Sequence, residues 1–349
     1  MLFENGRKRG DTVSGYKVAI LGASGAVGRM MVKVLEERNF PVRDLKLLAT
    51  ERSAGKKIDF HGEKLTIEVA HPDQFKGYDL ALFSAGSSVS RSIALEAVKR
   101  GCVVIDNSNA WRMEPDVPLV VPEVNPEELE NHRGIIANPN CSTIQMVVAL
   151  KPIKDRFGLS RIIVSTYQAV SGTGLRAIEE LKSQSLHMLN GETKEPEVYP
   201  YPIAFNLLPH IDTFSENGYS REEMKMINET RKILKDPKIK IAATAVRVPV
   251  FYGHSESIYI KTIEPAEVIE IRQVLSKAPG VVVYDNLEKL QYPMPNLVED
   301  NDQVWVGRIR RDLDEDCGYH LWVVANNLRK GAATNAVQIG EELMKRGLL

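Results

Sequence analysis

The residue with the clearest capacity for chemistry is Cys141, set in Asn138-Pro139-Asn140-Cys141-Ser142-Thr143-Ile144-Gln145 ahead of the apolar run Met146-Val147-Val148-Ala149-Leu150. Ser142 and Gln145 have the spacing of a capping box, which predicts a helix that begins at or next to Cys141. Unpaired N–H groups at such a terminus stabilise an anion, so the setting predicts a thiolate of lowered pKa, nucleophilic at neutral pH. The other two cysteines lack it. Cys102 opens an apolar strand, where a thiol is a buried filler, and Cys317 follows Asp314-Glu315-Asp316, whose charge opposes ionisation. A thiolate also needs a group that handles its proton. Of seven histidines, His254 is the best placed, in a glycine-containing turn (Pro249-Val250-Phe251-Tyr252-Gly253-His254-Ser255-Glu256) between two candidate strands.

A second feature is a phosphate cradle. The strand Tyr16-Lys17-Val18-Ala19-Ile20-Leu21 runs into Gly22-Ala23-Ser24-Gly25-Ala26-Val27-Gly28 and then a helix. Glycines permit the tight turn, and a helix N-terminus offers N–H groups and partial positive charge to a pyrophosphate. The spacing is G-x-x-G-x-x-G, so Gly22, Ser24, Gly25, Ala26 and Val27 are the candidate dinucleotide contacts. After the second strand an NAD site would show an acidic residue for the ribose hydroxyls. Here Thr50-Glu51-Arg52-Ser53 supplies Arg52 and Ser53, suited to a ribose 2′-phosphate, and NADP is the expected cofactor.

Elements that position these residues fall into two textures. The first alternates strands at 16–21, 45–49, 80–83 and 103–105 with helices at 26–38 and 90–99, the pattern of a doubly wound parallel sheet. Beyond residue 141, longer strands are expected at 161–168, 239–248, 257–263, 281–284, 304–310 and 320–325. Helices fit at 175–189, 220–234, 266–276 and 334–345. Residues 195–209 carry four prolines and read as a loop that covers a cleft or reaches a partner. The division expected is a disordered tail (1–15), an NADP-binding domain (16–140) completed by a C-terminal helix (327–349), and a catalytic and dimerisation domain (141–326). The fold class is α/β, a Rossmann-type domain plus an α+β domain.

Bulk properties exclude several classes. With 349 residues, 43% hydrophobic, 26% charged and a formal net charge of −1, the chain lacks the basic excess that nucleic-acid binding demands. No run approaches the ~20 apolar residues of a membrane span, and residues 1–15 lack the apolar core of a signal peptide. Three cysteines without a C-x-x-C pair, and no histidine at zinc-ligand spacing, argue against disulfides and metal and for a reducing, cytoplasmic setting.

These motifs, with Val120-Val121-Pro122-Glu123-Val124-Asn125, Tyr167-Gln168-Ala169-Val170-Ser171-Gly172, Glu222-Glu223-Met224-Lys225 and Arg247-Val248-Pro249, make the chain resemble the aspartate-β-semialdehyde dehydrogenase family from about Lys17 onward. The resemblance implies a fold like glyceraldehyde-3-phosphate dehydrogenase, a homodimer or higher oligomer, and a place in lysine, methionine and threonine synthesis. It implies Cys141 as nucleophile, His254 as acid/base and Gln168 as the group orienting an acyl intermediate. Arg247 would grip the substrate carboxylate and Glu222 its ammonium. Arg112 and Lys225 would hold the phosphate, with Ser171, Gly172 and Asn327 beside the nicotinamide.

The chemistry gives these roles reasons of their own. L-Aspartyl 4-phosphate carries a carboxylate, an ammonium and a phosphate, so its site needs one acid and at least two cations. Arg247 suits a bidentate grip. Glu222 and Lys225, three apart on a helix, share a face, although spacing alone equally describes a surface ion pair. Three alternatives stand beside this reading: an N-acetyl-γ-glutamyl-phosphate reductase, a non-enzymatic NADP-sensing module, and a cofactor-free Cys/His hydrolase or acyltransferase. The expected partners are a small acyl phosphate and inorganic phosphate, with no nucleic acid and no membrane.

Overall fold

The computed structural model describes residues 15–349. The tail expected over residues 1–15 lies outside the described residues except for Gly15.

Apolar runs without polar alternation form strands buried on both faces. The first sheet contains β1 (Tyr16–Leu21), β2 (Val42–Ala49), β3 (Lys57–Phe60), β4 (Glu63–Val69), β5 (Leu80–Phe83), β6 (Val103–Asp106) and β7 (Ile135–Ala137), in the order β3-β4-β2-β1-β5-β6-β7. All neighbours are parallel except the β3–β4 hairpin, so ligands belong at the carboxyl ends of β1 and β5, on either side of the switch in strand order. Helix α1 (Ala26–Glu37) follows β1, and α2 (Ser87–Lys99) follows β5. The hairpin and β7 were not expected from the sequence.

The chain then enters α3 (Cys141–Phe157), which is buried along most of its length. A second sheet follows: β8 (Leu159–Gln168), β9 (Lys240–Arg247), β10 (His254–Thr262), β11 (Val281–Val283), β12 (Val304–Arg311) and β13 (Gly318–Ala325), ordered β11-β12-β13-β10-β8-β9. Three helices, α4 (Leu175–Leu189), α5 (Arg221–Ile233) and α6 (Val268–Lys277), lie between these strands in sequence. Strand β8 alternates buried and open residues: Ile162, Val164 and Thr166 face α3, whereas Ile163 and Tyr167 are exposed. The open face also carries Trp322, which packs on Tyr167.

A π-helical turn, Arg329–Ala333, leads into α7 (Thr334–Arg346). Ala336, Val337, Ile339 and Leu343 of α7 share one core with Val18, Ile20, Leu80 and Leu82 of the first sheet. The proline-rich stretch 195–209 is a loop, as expected. Glu180 of α4 accepts the N–H groups of Glu197 and Val198 (2.7 and 2.6 Å), and Gln184 accepts those of Ile203 and Ala204 (2.9 and 3.2 Å), so buried carbonyl-type oxygens replace a strand ladder.

Candidate active site

One cavity of about 460 Å³ lies where the two sheets meet, with Cys141, Gln168, Glu222, Lys225, Arg247 and Arg112 among its walls. Cys141 is the first residue of α3. The cap is Asn140, whose Oδ1 accepts from the Ser142 and Thr143 N–H groups (3.0 and 3.3 Å). This corrects the capping box expected from Ser142 and Gln145, which instead lie within the helix. The position of Cys141 at the terminus survives, but the lowered pKa does not. Burial and the nearby Glu222 carboxylate push the thiol up to about 12, against smaller opposing effects of Arg247, Arg112 and the Ser142 N–H.

His254 is not in a turn. It is the first residue of β10, opposite Ala325, and its side chain is fully buried against Gly172, which lines the cavity. A Cβ on Gly172 would stand 3.3 Å from His254 Nε2 and 3.1 Å from Arg247 Nη1, so a glycine lets the imidazole and the guanidinium approach the cavity wall. The Ala169 N–H donates to Nδ1 (3.0 Å), which assigns the proton of the neutral imidazole to Nε2. Among the described residues Nε2 has no hydrogen-bond partner, Cys141 included. Burial, then Arg247, holds the imidazole well below its ordinary pKa, so the ring is neutral.

Arg247 ends β9 and Gln168 ends β8, neighbours in a parallel register that carries both to the cavity. Arg247 Nη1 donates to the Ala169 carbonyl (2.7 Å), while its buried Nε has no partner among the described residues. Gln168 Nε2 donates to Thr166 (3.3 Å) and Glu222 (3.4 Å).

Helix α5 supplies the remaining charges. Ser220 and Glu223 form its capping box, and Glu222 is 5% exposed in the wall behind Cys141. Glu222 accepts from Asn140 Nδ2 (2.8 Å) and Lys225 Nζ (3.1 Å). Burial pushes its carboxyl up, but Lys225, Asn140 and Arg247 more than offset that and leave it below the ordinary range. Arg112 donates to Asn138 O (2.9 Å), Asn107 O (2.9 Å) and Glu229 (3.0 Å). The Glu222–Lys225 pair is thus no surface ion pair.

The nucleotide cradle opens on the same cavity. Gly22 has φ +87°, and a Cβ there would meet the Ser84 backbone at 2.8 Å, so only glycine fits. Gly25 and Gly86 cap α1 and α2 without side-chain hydrogen bonds, and Val27, Gly86 and Ser87 line the cavity, so two helix termini face it with N–H groups available to phosphates. Ser24 and Ala26 belong to the same turn. Arg52 is exposed and Ser53 half-buried, in a short 3-10 turn after β2. Ser171 and Asn327 are hydrogen-bonded (3.0 Å) and line the cavity beside Gly172. Among the described residues, no group of three or more His, Cys, Asp or Glu could hold a metal.

Family models described as "Semialdehyde dehydrogenase, NAD binding domain" and "Semialdehyde dehydrogenase, dimerisation domain" match residues 17–132 and 150–330. A relative from Aquifex aeolicus named aspartate-semialdehyde dehydrogenase is 58% identical over 339 residues, covering 96% of this chain and 100% of the relative. The chain belongs to the aspartate-semialdehyde dehydrogenase family. The crystal structure of family member II from Vibrio cholerae complexed with ASA superposes with a TM-score of 0.93 at 48% identity, covering 95% of this chain and 98% of that one. A Candida albicans family member solved with NADP gives 0.76 at 27% identity, covering 96% and 100%.

Asn140, Asn107 and the Gly86-Ser87 terminus also line this cavity, and Glu229 lies behind it, bonded to Arg112 and Asn140; none of the four stands out from the sequence. Glu229 had a usable signal, since Glu222, Met226, Glu229 and Ile233 form one helical stripe and an acid on such a stripe must find a buried partner.

Proposed function

We propose that the chain reduces L-aspartyl 4-phosphate to L-aspartate 4-semialdehyde with NADPH, through a thioester on Cys141, as a step in lysine, methionine and threonine synthesis. The observation that carries this reading is the distribution of charge around one thiol: a buried acid, Glu222, beside three cations, Lys225, Arg247 and Arg112, in a single cavity, where an exposed second acid, Asp212, also holds Lys225 (3.0 Å). That set matches an ammonium, a carboxylate and a phosphate. An N-acetylated substrate would leave Glu222 facing an amide with no positive charge.

Arg247 has its Nε free for the substrate carboxylate, and Glu222 takes the ammonium, displacing part of its contact with Lys225. Arg112 and Lys225 bind the phosphate and stabilise it as it leaves. Cys141 attacks the acyl carbon, splitting one hard displacement into two easier steps. Its thiol must lose a proton first. To accept that proton on Nε2, His254 must release the Ala169 N–H from Nδ1; with that bond kept, Nε2–H is a donor. Asn140 already occupies the Ser142 and Thr143 N–H groups, so oxyanion charge falls to the Cys141 N–H and Gln168 rather than to the whole helix terminus. NADPH, when bound in the cradle of Gly22, Ser24, Gly25, Ala26 and Val27 with Arg52 and Ser53 at its 2′-phosphate, supplies the hydride. His254 then returns a proton to the sulfur as the aldehyde leaves, with Ser171, Gly172 and Asn327 forming the wall at the reacting carbon.

The open face of the second sheet, with Ile163, Tyr167 and Trp322, supports a homodimer joined through that face. All three cysteines are free, in keeping with the cytoplasm, and no described helix is long and apolar enough to cross a membrane. Phosphate-dependent NADP reduction with aspartate semialdehyde tests the assignment. Preference for the N-acetyl-γ-glutamyl substrate would overturn it.

A further inference from the structure

The carboxylate of Glu229 is 1% exposed and does not line the cavity, yet it touches two parts of the site at once. Its Oε1 accepts from Arg112 Nη1 at 3.0 Å, and its Oε2 accepts from the Asn140 backbone N–H at 2.7 Å. Arg112 follows β6 in the first half of the chain, whereas Asn140 is the residue that caps the Cys141 helix. Seven residues back on the same helix, Glu222 takes the Asn140 side-chain amide. Asn140 is therefore held at both its backbone and its side chain by one face of α5.

We infer that Glu229 is a positioning residue that ties the phosphate-binding guanidinium to the cap of the nucleophile's helix, so that the two are placed as one unit. This rests on the phosphate role proposed for Arg112. The chemistry requires a carboxylate. The two donors, a guanidinium N–H and a peptide N–H, reach different oxygens, Oε1 and Oε2, and only a carboxylate offers two acceptor oxygens on one side chain. Glutamine has one oxygen and one NH₂ group, so whichever way it turns, a donor faces a donor. An error at Glu229 is consequently expected to appear at both ends of the bridge, at the phosphate and at the sulfur.

The test is Glu229→Gln, read in three ways: the KM for inorganic phosphate in the NADP-reducing direction, the rate of Cys141 alkylation by iodoacetamide without substrate, and NADPH affinity by fluorescence. The phosphate KM should rise about tenfold or more, as for loss of a hydrogen bond to a charged group. Alkylation should slow about fivefold, as for a weakened helix cap. NADPH affinity should stay unchanged. A rise in phosphate KM alone, slower alkylation alone, or no change in either overturns the coupling, and so does a parallel loss of NADPH affinity, which would mean general damage. Alkylation needs no substrate, so it reads the bridge even if the substrate assignment fails, and wild-type turnover tests that assignment separately. Should Glu229→Gln not fold, Glu229→Asp keeps the charge and loses a methylene of reach. It should move both readouts in the same directions, and an unaltered pair would overturn the inference.

Discussion

Two buried ionic clusters in this molecule use the same residue types to opposite ends. Lys330, fully buried, donates to Glu123 (2.6 Å), Asn335 (2.9 Å) and Gln338 (2.7 Å), and Gln338 donates back to Glu123 (3.0 Å). Its three ammonium protons meet three acceptors, and the cluster is closed. Burial draws this ammonium below its ordinary pKa, and Glu123 restores part of the loss. The cluster around α5 is open: Arg247 Nε and His254 Nε2 have no partners among the described residues, and Lys225, Arg112 and Glu222 face the cavity. Buried charge therefore does not mark a site by itself; spare hydrogen-bonding capacity beside a thiol does.

That contrast can be broken at several points. Cys141→Ser should abolish phosphate-dependent NADP reduction while leaving NADPH affinity unchanged, because the nucleophile is lost and the cradle is not. Measurable turnover in that variant would exclude the thioester. His254→Asn should lower kcat by the ~100- to 10,000-fold typical of losing an acid/base group, as steady-state kinetics will show. In the closed cluster, Lys330→Met should instead cost stability, about 3–5 kcal/mol in denaturant unfolding for breaking a buried pair, with kcat/KM of the folded enzyme little changed. Activity lost at full stability would erase the distinction between the clusters. Arg247→Lys should raise the KM for aspartate semialdehyde about tenfold, since an ammonium cannot make the two parallel hydrogen bonds.

The smallest effect is the most specific to the resting site. With the thiol pushed up to about 12, the thiolate is a small fraction that grows as pH rises. Alkylation of Cys141 in the free enzyme should therefore accelerate roughly tenfold per pH unit between about pH 7 and 10. A plateau below pH 8 would mean that the helix terminus outweighs burial and Glu222 after all.

How far the sequence could be read depended on whether a signal was local. Helix α4 runs over 175–189 as its apolar spacing predicts, and the glycine cradle sits where strand, turn and helix place it. The β3–β4 hairpin was missed although Ile58, Phe60, Leu65 and Ile67 alternate around a His61-Gly62 turn, because exposed lysines and glutamates dilute the pattern of an edge pair. Strand β7 is three residues long and takes its identity from β6 beside it. Within the site, Cys141 was legible because a helix start is written in neighbouring residues. Its cap is ambiguous from sequence because Asn140, Ser142 and Thr143 are all capable of the role. The thiol's environment was not legible at all, since Glu222 lies eighty-one positions away in sequence and reaches it only through the packing of α5 on α3.

The route of the chain after β13 bears on how the protein is made. The first sheet is synthesised early, but Ala336, Val337, Ile339 and Leu343, which cover Val18, Ile20 and Leu82, arrive only with α7. Until that helix has left the ribosome, the nascent nucleotide-binding half carries an uncovered apolar surface for most of its translation, and it completes its fold after the half that follows it.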